Sequence, residues 1–135
     1  MYKSGVALTP ERLQSVPLFS ELGRKELQRL VNEMRERTFE AGAIVVEEGT
    51  GGVGFFVIDD GQAEVSVAGE AKTTLGPGDH FGEIALITGS PRTATIVAKT
   101  NLRCFGLASW QFTPLVQADP GISWKLLQGL AKMIG

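Results

Sequence analysis

Two residues of opposite charge carry the most chemistry in this chain. Glu83 and Arg92 stand nine residues apart within Phe81 to Ala98, FGEIALITGSPRTATIVA, a stretch otherwise built of apolar and small side chains. Charge is costly in such surroundings unless something pairs with it, so each residue calls for a partner. Arg92 offers a planar, permanently charged fork that grips two phosphate oxygens. Glu83 would repel a phosphate, and as an acceptor its natural task is to take a hydrogen bond from a sugar hydroxyl. The run Gly82-Glu83-Ile84-Ala85-Leu86 lacks strand alternation and contains good helix formers. It predicts one short helical turn after the Gly76-Pro77-Gly78-Asp79 turn. A helix start presents free N–H groups and the positive end of a dipole, which suits a phosphate. One hydroxyl acceptor, one cation and several amides together describe a receptor for the ribose-phosphate part of a nucleotide.

The elements that must hold this receptor are mostly strands. Ala43 to Glu47 and Phe55 to Ile58 are short apolar runs bounded by glycines, and Ala63 to Val67 alternates, with Val65 and Val67 on one face. Gly69-Glu70 reads as a two-residue hairpin loop leading into Lys72 to Leu75. Thr93 to Lys99 is rich in β-branched residues, and Leu102 to Leu107 follows a turn at Thr100-Asn101. Many short strands with little helix between them predict a mainly β fold with flanking helices, an antiparallel jelly-roll (double-stranded β-helix) barrel over residues 37–108. Such a barrel can hold one small ligand.

Helices flank it. Thr9-Pro10-Glu11 reads as N-cap, N1 proline and first-turn acid. Leu27, Leu30, Val31 and Met34 then recur with helical spacing, so residues 9–35 form an N-terminal helical hairpin interrupted at Val16 to Phe19. Arg24, Lys25, Gln28, Arg29 and Glu33 face water. Beyond the barrel, residues 109–134 return to helix. Ser109 caps a helix carrying Phe112, Leu115 and Val116, with Pro114 inside it. Asp119-Pro120 starts a last helix. On that helix the apolar residues from Ile122 to Ile134, Trp124 included, span about 200° of circumference, with Lys125, Gln128 and Lys132 opposite. The arc is wider than one core-facing stripe needs, so something besides the barrel should cover it. Trp110 reads as core, whereas Trp124 fits core or ligand cap equally.

A chain of 135 residues forms one domain, 1–135, and a net charge of −2 with signs interspersed gives no basic field for direct nucleic-acid binding. No apolar run approaches a membrane span, MYKSGVALTPER lacks a secretory stretch, and Cys104 is the sole cysteine, so a cytoplasmic location is expected. Catalysis finds no support. His80 is the only histidine, which leaves no multi-imidazole metal site, and Asp79-His80 reads as the end of a turn. Cys104 in its strand reads as a buried, inert thiol. Glu47-Glu48 and Asp59-Asp60 are adjacent in strands, where neighbours point to opposite faces, and read as solvated acids rather than a proton-sharing pair.

Phe81 to Ala94 resembles the phosphate-binding cassette of the cyclic-nucleotide-binding domain family. That family is found in catabolite-activator-like regulators, in regulatory subunits of cyclic-nucleotide-dependent kinases and in cyclic-nucleotide-gated channels. Its pattern is apolar, Gly, Glu, any residue, small, apolar, a short loop, Arg, a small or hydroxyl residue, Ala. Phe81, Gly82, Glu83, Ile84, Ala85 and Leu86, then Arg92, Thr93 and Ala94, fill it, with Pro91 before the arginine. A second signature is similar from Val45 to Gly61, VVEEGTGGVGFFVIDDG, framed by Gly49, Gly52, Phe55 to Ile58 and Gly61. Thr50 and Val53 depart from it, standing where many members carry acids. The likeness spans about residues 13 to 134.

The resemblance implies a non-catalytic sensor whose ligand is cyclic AMP or cyclic GMP, with no metal or other cofactor. Glu83 would accept the ribose 2′-hydroxyl, Arg92 would pair with the cyclic phosphate, and Gly82, Ile84 and Ala85 would offer backbone groups. Thr93 would lie beside the phosphate and base, and its hydroxyl leaves the choice of base open. The N-terminal helices would cover one end of the barrel and move on binding. The C-terminal helices would serve as a lid that places Trp124 or an apolar neighbour on the base, or would pair with the same helix of a second copy in a homodimer. An ordinary core helix is the plain alternative. The effector partner is unknown, and output would pass to a partner, to a second copy or to segments outside this stretch. The competing view is a degenerate member of the fold that acts as an interaction or dimerisation module without nucleotide.

Overall fold

The computed structural model describes residues 8–50, 54–89 and 91–134. Gly52 and Val53, which figure in the second signature, lie outside the described residues. Three helical pieces lead: α1 (Pro10–Gln14), a 3₁₀ turn (Pro17–Phe19) and α2 (Arg24–Glu33). The Thr9 hydroxyl accepts from the Arg12 amide, and Pro10 needs no N–H partner at the first helical position, so α1 starts where the cap signal places it. Leu27 and Leu30 bury the inner face of α2, with Met34 just beyond it.

The strands follow as β1 (Arg35–Phe39), β2 (Ile44–Val46), β3 (Gly54–Asp60), β4 (Ala63–Val67), β5 (Glu70–Leu75), β6 (His80–Phe81), β7 (Thr95–Ala98) and β8 (Leu102–Ala108). A short helix α3 (Glu83–Thr88) interrupts them between β6 and β7. The described residues form two antiparallel sheets, ordered β1-β8-β3-β6 and β2-β7-β4-β5. First-half strands therefore pair with second-half strands in reverse order, β1 with β8, β2 with β7, β3 with β6 and β4 with β5. That is the order of a chain doubled back on itself and rolled into a jelly-roll barrel.

Strand β3 is central and buried on both faces. Phe56 and Ile58 pack between the sheets with Val46, Ala63, Phe81, Ile96 and Cys104, whereas Phe55 and Val57 pack outward against Leu13, Phe19, Leu30 and Phe112 of the helices. The ring of Phe55 meets Phe19 edge-on, with centroids 5.3 Å apart. Each such aromatic contributes about 1.5–3 kcal/mol through burial, which makes this strand the joint between the two cores. The uninterrupted apolar run GFFVI has its cause here, since neither face meets water.

After the barrel come α4 (Ser109–Ala118) and α5 (Pro120–Ile134). Asp119 caps α5, its Oδ1 accepting from the amides of Gly121 and Ile122. Helix α5 lies on the 3₁₀ turn, where Gly129 approaches so closely that a Cβ there would sit 2.4 Å from the Leu18 carbonyl oxygen. Lys125 bonds Glu26 at 2.7 Å and Lys132 bonds Glu21 at 2.5 Å. The helix therefore turns its lysine edge, along with Ile122 and Leu126, toward the N-terminal helices, and leaves Trp124, Leu127 and Ile134 exposed.

Four details differ from the sequence expectations. The β4–β5 hairpin turns at Ala68-Gly69, with Val67 opposite Glu70 and positive φ at both turn residues, one residue earlier than expected. Ala108, not Ser109, is the N-cap of α4: its amide donates to Gln111 Oε1, the one half of a capping box that needs no hydroxyl. Trp110 is 68% exposed rather than core, while Phe112 takes the buried face of the helix. Asp59 is 1% exposed rather than solvated: the register shifts between Ile58 and Asp60, so Asp59 is the extra residue of a β-bulge, with its carboxylate 3.6 Å from Arg103 Nε.

Candidate functional site

The barrel opens on a cavity of about 610 Å³ between α3, the segment 91–94 and the inner faces of β2, β4, β5 and β7. Of the residues singled out from sequence, Phe81, Gly82, Glu83, Ile84, Ala85, Pro91, Arg92, Thr93 and Ala94 line it. Leu86 does not. It is buried in the helical core and faces a second, apolar cleft with Phe112, Val116 and Leu126. Trp124 does not line the cavity either, and is 61% exposed on α5. The barrel's own share of the wall is Val46, Val65, Leu75 and Ile96, legible in retrospect as inward positions of alternating strands.

Gly82 makes the local geometry possible. It caps α3 at φ 90°, ψ 5°, in the left-handed region, and a Cβ would lie 2.4 Å from the Gly54 carbonyl oxygen and 2.6 Å from Arg92 Nη1. A second left-handed glycine, Gly89, ends the helix. The guanidinium of Arg92 thus packs onto the backbone of Gly82, where a side chain would displace it.

Arg92 is only 8% exposed. Its backbone is pinned by hydrogen bonds to Thr50 O at 2.9 Å and from Gly49 N at 2.8 Å, and Nη2 donates to the carbonyl of Gly54. Nε is buried with no hydrogen-bond partner among the described residues. Burial lowers the pKa from its ordinary value, yet an arginine remains cationic in proteins. A buried cation with an unused donor and, among the described residues, no carboxylate paired with it is costly, and an anion in the cavity would relieve that cost.

Glu83 is held elsewhere. Its Oε2 lies 3.1 Å from His80 Nδ1, and the two side chains are 17% and 25% exposed. The hydrogen bond from His80 outweighs burial and holds the carboxyl below the ordinary range. Among the described residues Glu83 and Arg92 do not pair with one another, so acceptor and cation both remain in the wall of one cavity. His80, expected only to finish a turn, is a cavity-lining residue that sequence reasoning missed, although its spacing of three from Glu83 was a usable signal. Cys104 lies in the barrel interior, where burial pushes its thiol up to about 12, so it stays protonated.

Comparison with known proteins bears on the fold and the family. A family profile for the cyclic nucleotide-binding domain matches residues 36–119. The chain is 39% identical over 106 residues to a cAMP-dependent protein kinase regulatory subunit of Yarrowia lipolytica, covering 77% of this chain and 28% of that one. It is 41% identical over 109 residues to a cyclic nucleotide-gated potassium channel of Mesorhizobium japonicum, covering 81% and 30%. The chain thus spans less than a third of each of these relatives. Among solved structures, the N-terminal domain of a transcriptional regulator from Streptomyces coelicolor A3(2) superimposes with a TM-score of 0.82 at 26% identity over 91% of both chains. PfPKA-R with cAMP bound superimposes with a TM-score of 0.72 at 33% identity over 78% of this chain and 39% of the other. The fold is an antiparallel β-barrel with flanking helices, and the chain belongs to the cyclic nucleotide-binding domain family.

Proposed function

We propose that residues 1–135 form one non-catalytic sensor domain that binds cyclic AMP or cyclic GMP. Arg92 and the start of α3 hold the phosphate, Glu83 takes the ribose 2′-hydroxyl, and Thr93 lies near the base. The observation that carries this reading is the buried Arg92, with Nε unpartnered in the wall of a nucleotide-sized cavity while Glu83 is engaged by His80. A cavity of this size suits a ligand of about 22 non-hydrogen atoms. At roughly 0.3 kcal/mol for each atom, the affinity falls near the micromolar range.

Coupling follows from where α5 rests. For Trp124 to reach the base, α5 has to leave the 3₁₀ turn and break the Lys125–Glu26 and Lys132–Glu21 contacts. Alternatively, its exposed face of Trp124, Leu127 and Ile134 joins a second copy in a homodimer. No helix among the described residues is long and apolar enough to cross a membrane. The single cysteine, buried and protonated, suits a reducing compartment, and we place the domain in the cytoplasm on that basis.

Calorimetric titration with cyclic AMP and cyclic GMP, with linear 5′-AMP as control, tests the reading. Saturable binding of at least one cyclic nucleotide, with 5′-AMP weaker, is expected, and the stronger of the two defines the base preference. If millimolar concentrations of both leave heat and melting temperature unchanged, the domain is an interaction module that kept the fold.

A further inference from the structure

We propose that His80 is a positioning residue of the nucleotide site, fixing the Glu83 carboxylate so that its remaining acceptor capacity serves the sugar hydroxyl. The inference rests on the assignment of Glu83 to the ribose 2′-hydroxyl made above. His80 sits in the two-residue strand β6, its backbone paired opposite Val57 of β3, so its Cα is fixed by the central strand of the barrel. Its ring is braced by Phe55, with centroids 6.0 Å apart at 46°. Facing a carboxylate, which only accepts, Nδ1 is the nitrogen that carries the proton and donates to Glu83 Oε2. The neighbouring Asp79 does not compete, because its Oδ2 accepts from the Gly76 amide at 2.8 Å.

The contact matters because of what else the cavity holds. A free glutamate has several rotamers, and Arg92 in the same wall offers an unpartnered donor. A carboxylate not held by His80 would have to be ordered at the moment of binding, which weakens the hydroxyl contact. One imidazole bond leaves a carboxylate with lone pairs to spare, so His80 orients the acceptor without consuming it.

The test compares 3′,5′-cyclic AMP with its 2′-deoxy analogue, or the guanine pair where cyclic GMP is the tighter ligand, by calorimetry on three proteins. The wild type is expected to prefer the ribo form. His80→Phe keeps a ring against Phe55 but has no donor, and should cut that preference about tenfold while deoxy affinity moves less than about threefold. His80→Asn places an amide N–H near the position of Nδ1 and should recover most of the preference. An unchanged ratio in His80→Phe, or equal losses for both nucleotides, overturns the role of His80. A wild type that binds both forms equally overturns the assignment of Glu83 itself.

Discussion

Replacing Arg92 is expected to separate binding from folding. Among the described residues the guanidinium makes one charge-assisted hydrogen bond, to Gly54, and Nε is buried without a partner. The bond contributes about 1.5–3 kcal/mol. Holding a buried charge without a counter-ion costs a comparable amount, so Arg92→Ala should change the stability of the empty domain by less than about 1 kcal/mol. The loaded domain behaves differently. Removing one partner of a buried phosphate contact costs about 2–5 kcal/mol, a loss of about thirtyfold to about 5,000-fold in affinity. Urea denaturation of the empty protein and calorimetric titration with cyclic nucleotide measure the two quantities independently. A binding loss under threefold would place the phosphate away from Arg92. Destabilisation of the empty protein by more than about 3 kcal/mol would make Arg92 a structural residue instead.

Gly82→Ala should destabilise the fold by about 2 kcal/mol or more and weaken nucleotide binding, since the methyl group meets both a positive φ and the atoms of Gly54 and Arg92, and thermal denaturation will show it. Glu83 has a folded-state pKa below its ordinary value, so its contribution is complete above about pH 4.5 and is lost as pH falls through the lowered value. Between about pH 5.5 and about pH 3.5 the urea midpoint of the wild type should therefore drop further than that of Glu83→Gln. Gly129→Ala gains helix propensity yet drives a methyl to 2.4 Å from the Leu18 carbonyl oxygen, costing about 1–3 kcal/mol in net stability. If α5 leaves the 3₁₀ turn on binding, the same substitution raises nucleotide affinity, and a lowered affinity in calorimetry would sink that coupling.

The cassette was legible because its chemistry and its backbone demands fall in one short stretch. A glycine before the acid, a short helical turn and an arginine after a proline can be read without knowing what packs on them, although the helix runs on to Thr88. The strands were legible for the same reason, through alternation and turn residues. What stayed hidden depends on neighbours distant in sequence. Asp59-Asp60 read as solvated acids, but Asp59 is the extra residue of a β-bulge in a buried strand, and register is a property of two strands together. Trp110 lies outside because Phe112 already fills the one face of α4 that the barrel offers. Leu86 matches the family pattern but looks into the helical core, since residues on successive helical positions cannot all face one cavity. The apolar arc of α5 was visible, but not that its lysine edge would be the docked side, which Gly129 and the acids at Glu21 and Glu26 decide.

The central strand β3 has no solvent face and is hydrogen-bonded on both edges, to β6 and β8. Its amides should exchange with deuterium only when the entire barrel opens. They supply an internal clock for exchange experiments. Any ligand-dependent change in α3 or α5 that runs faster than this clock reports local motion in the domain, cleanly separated from a general gain in stability.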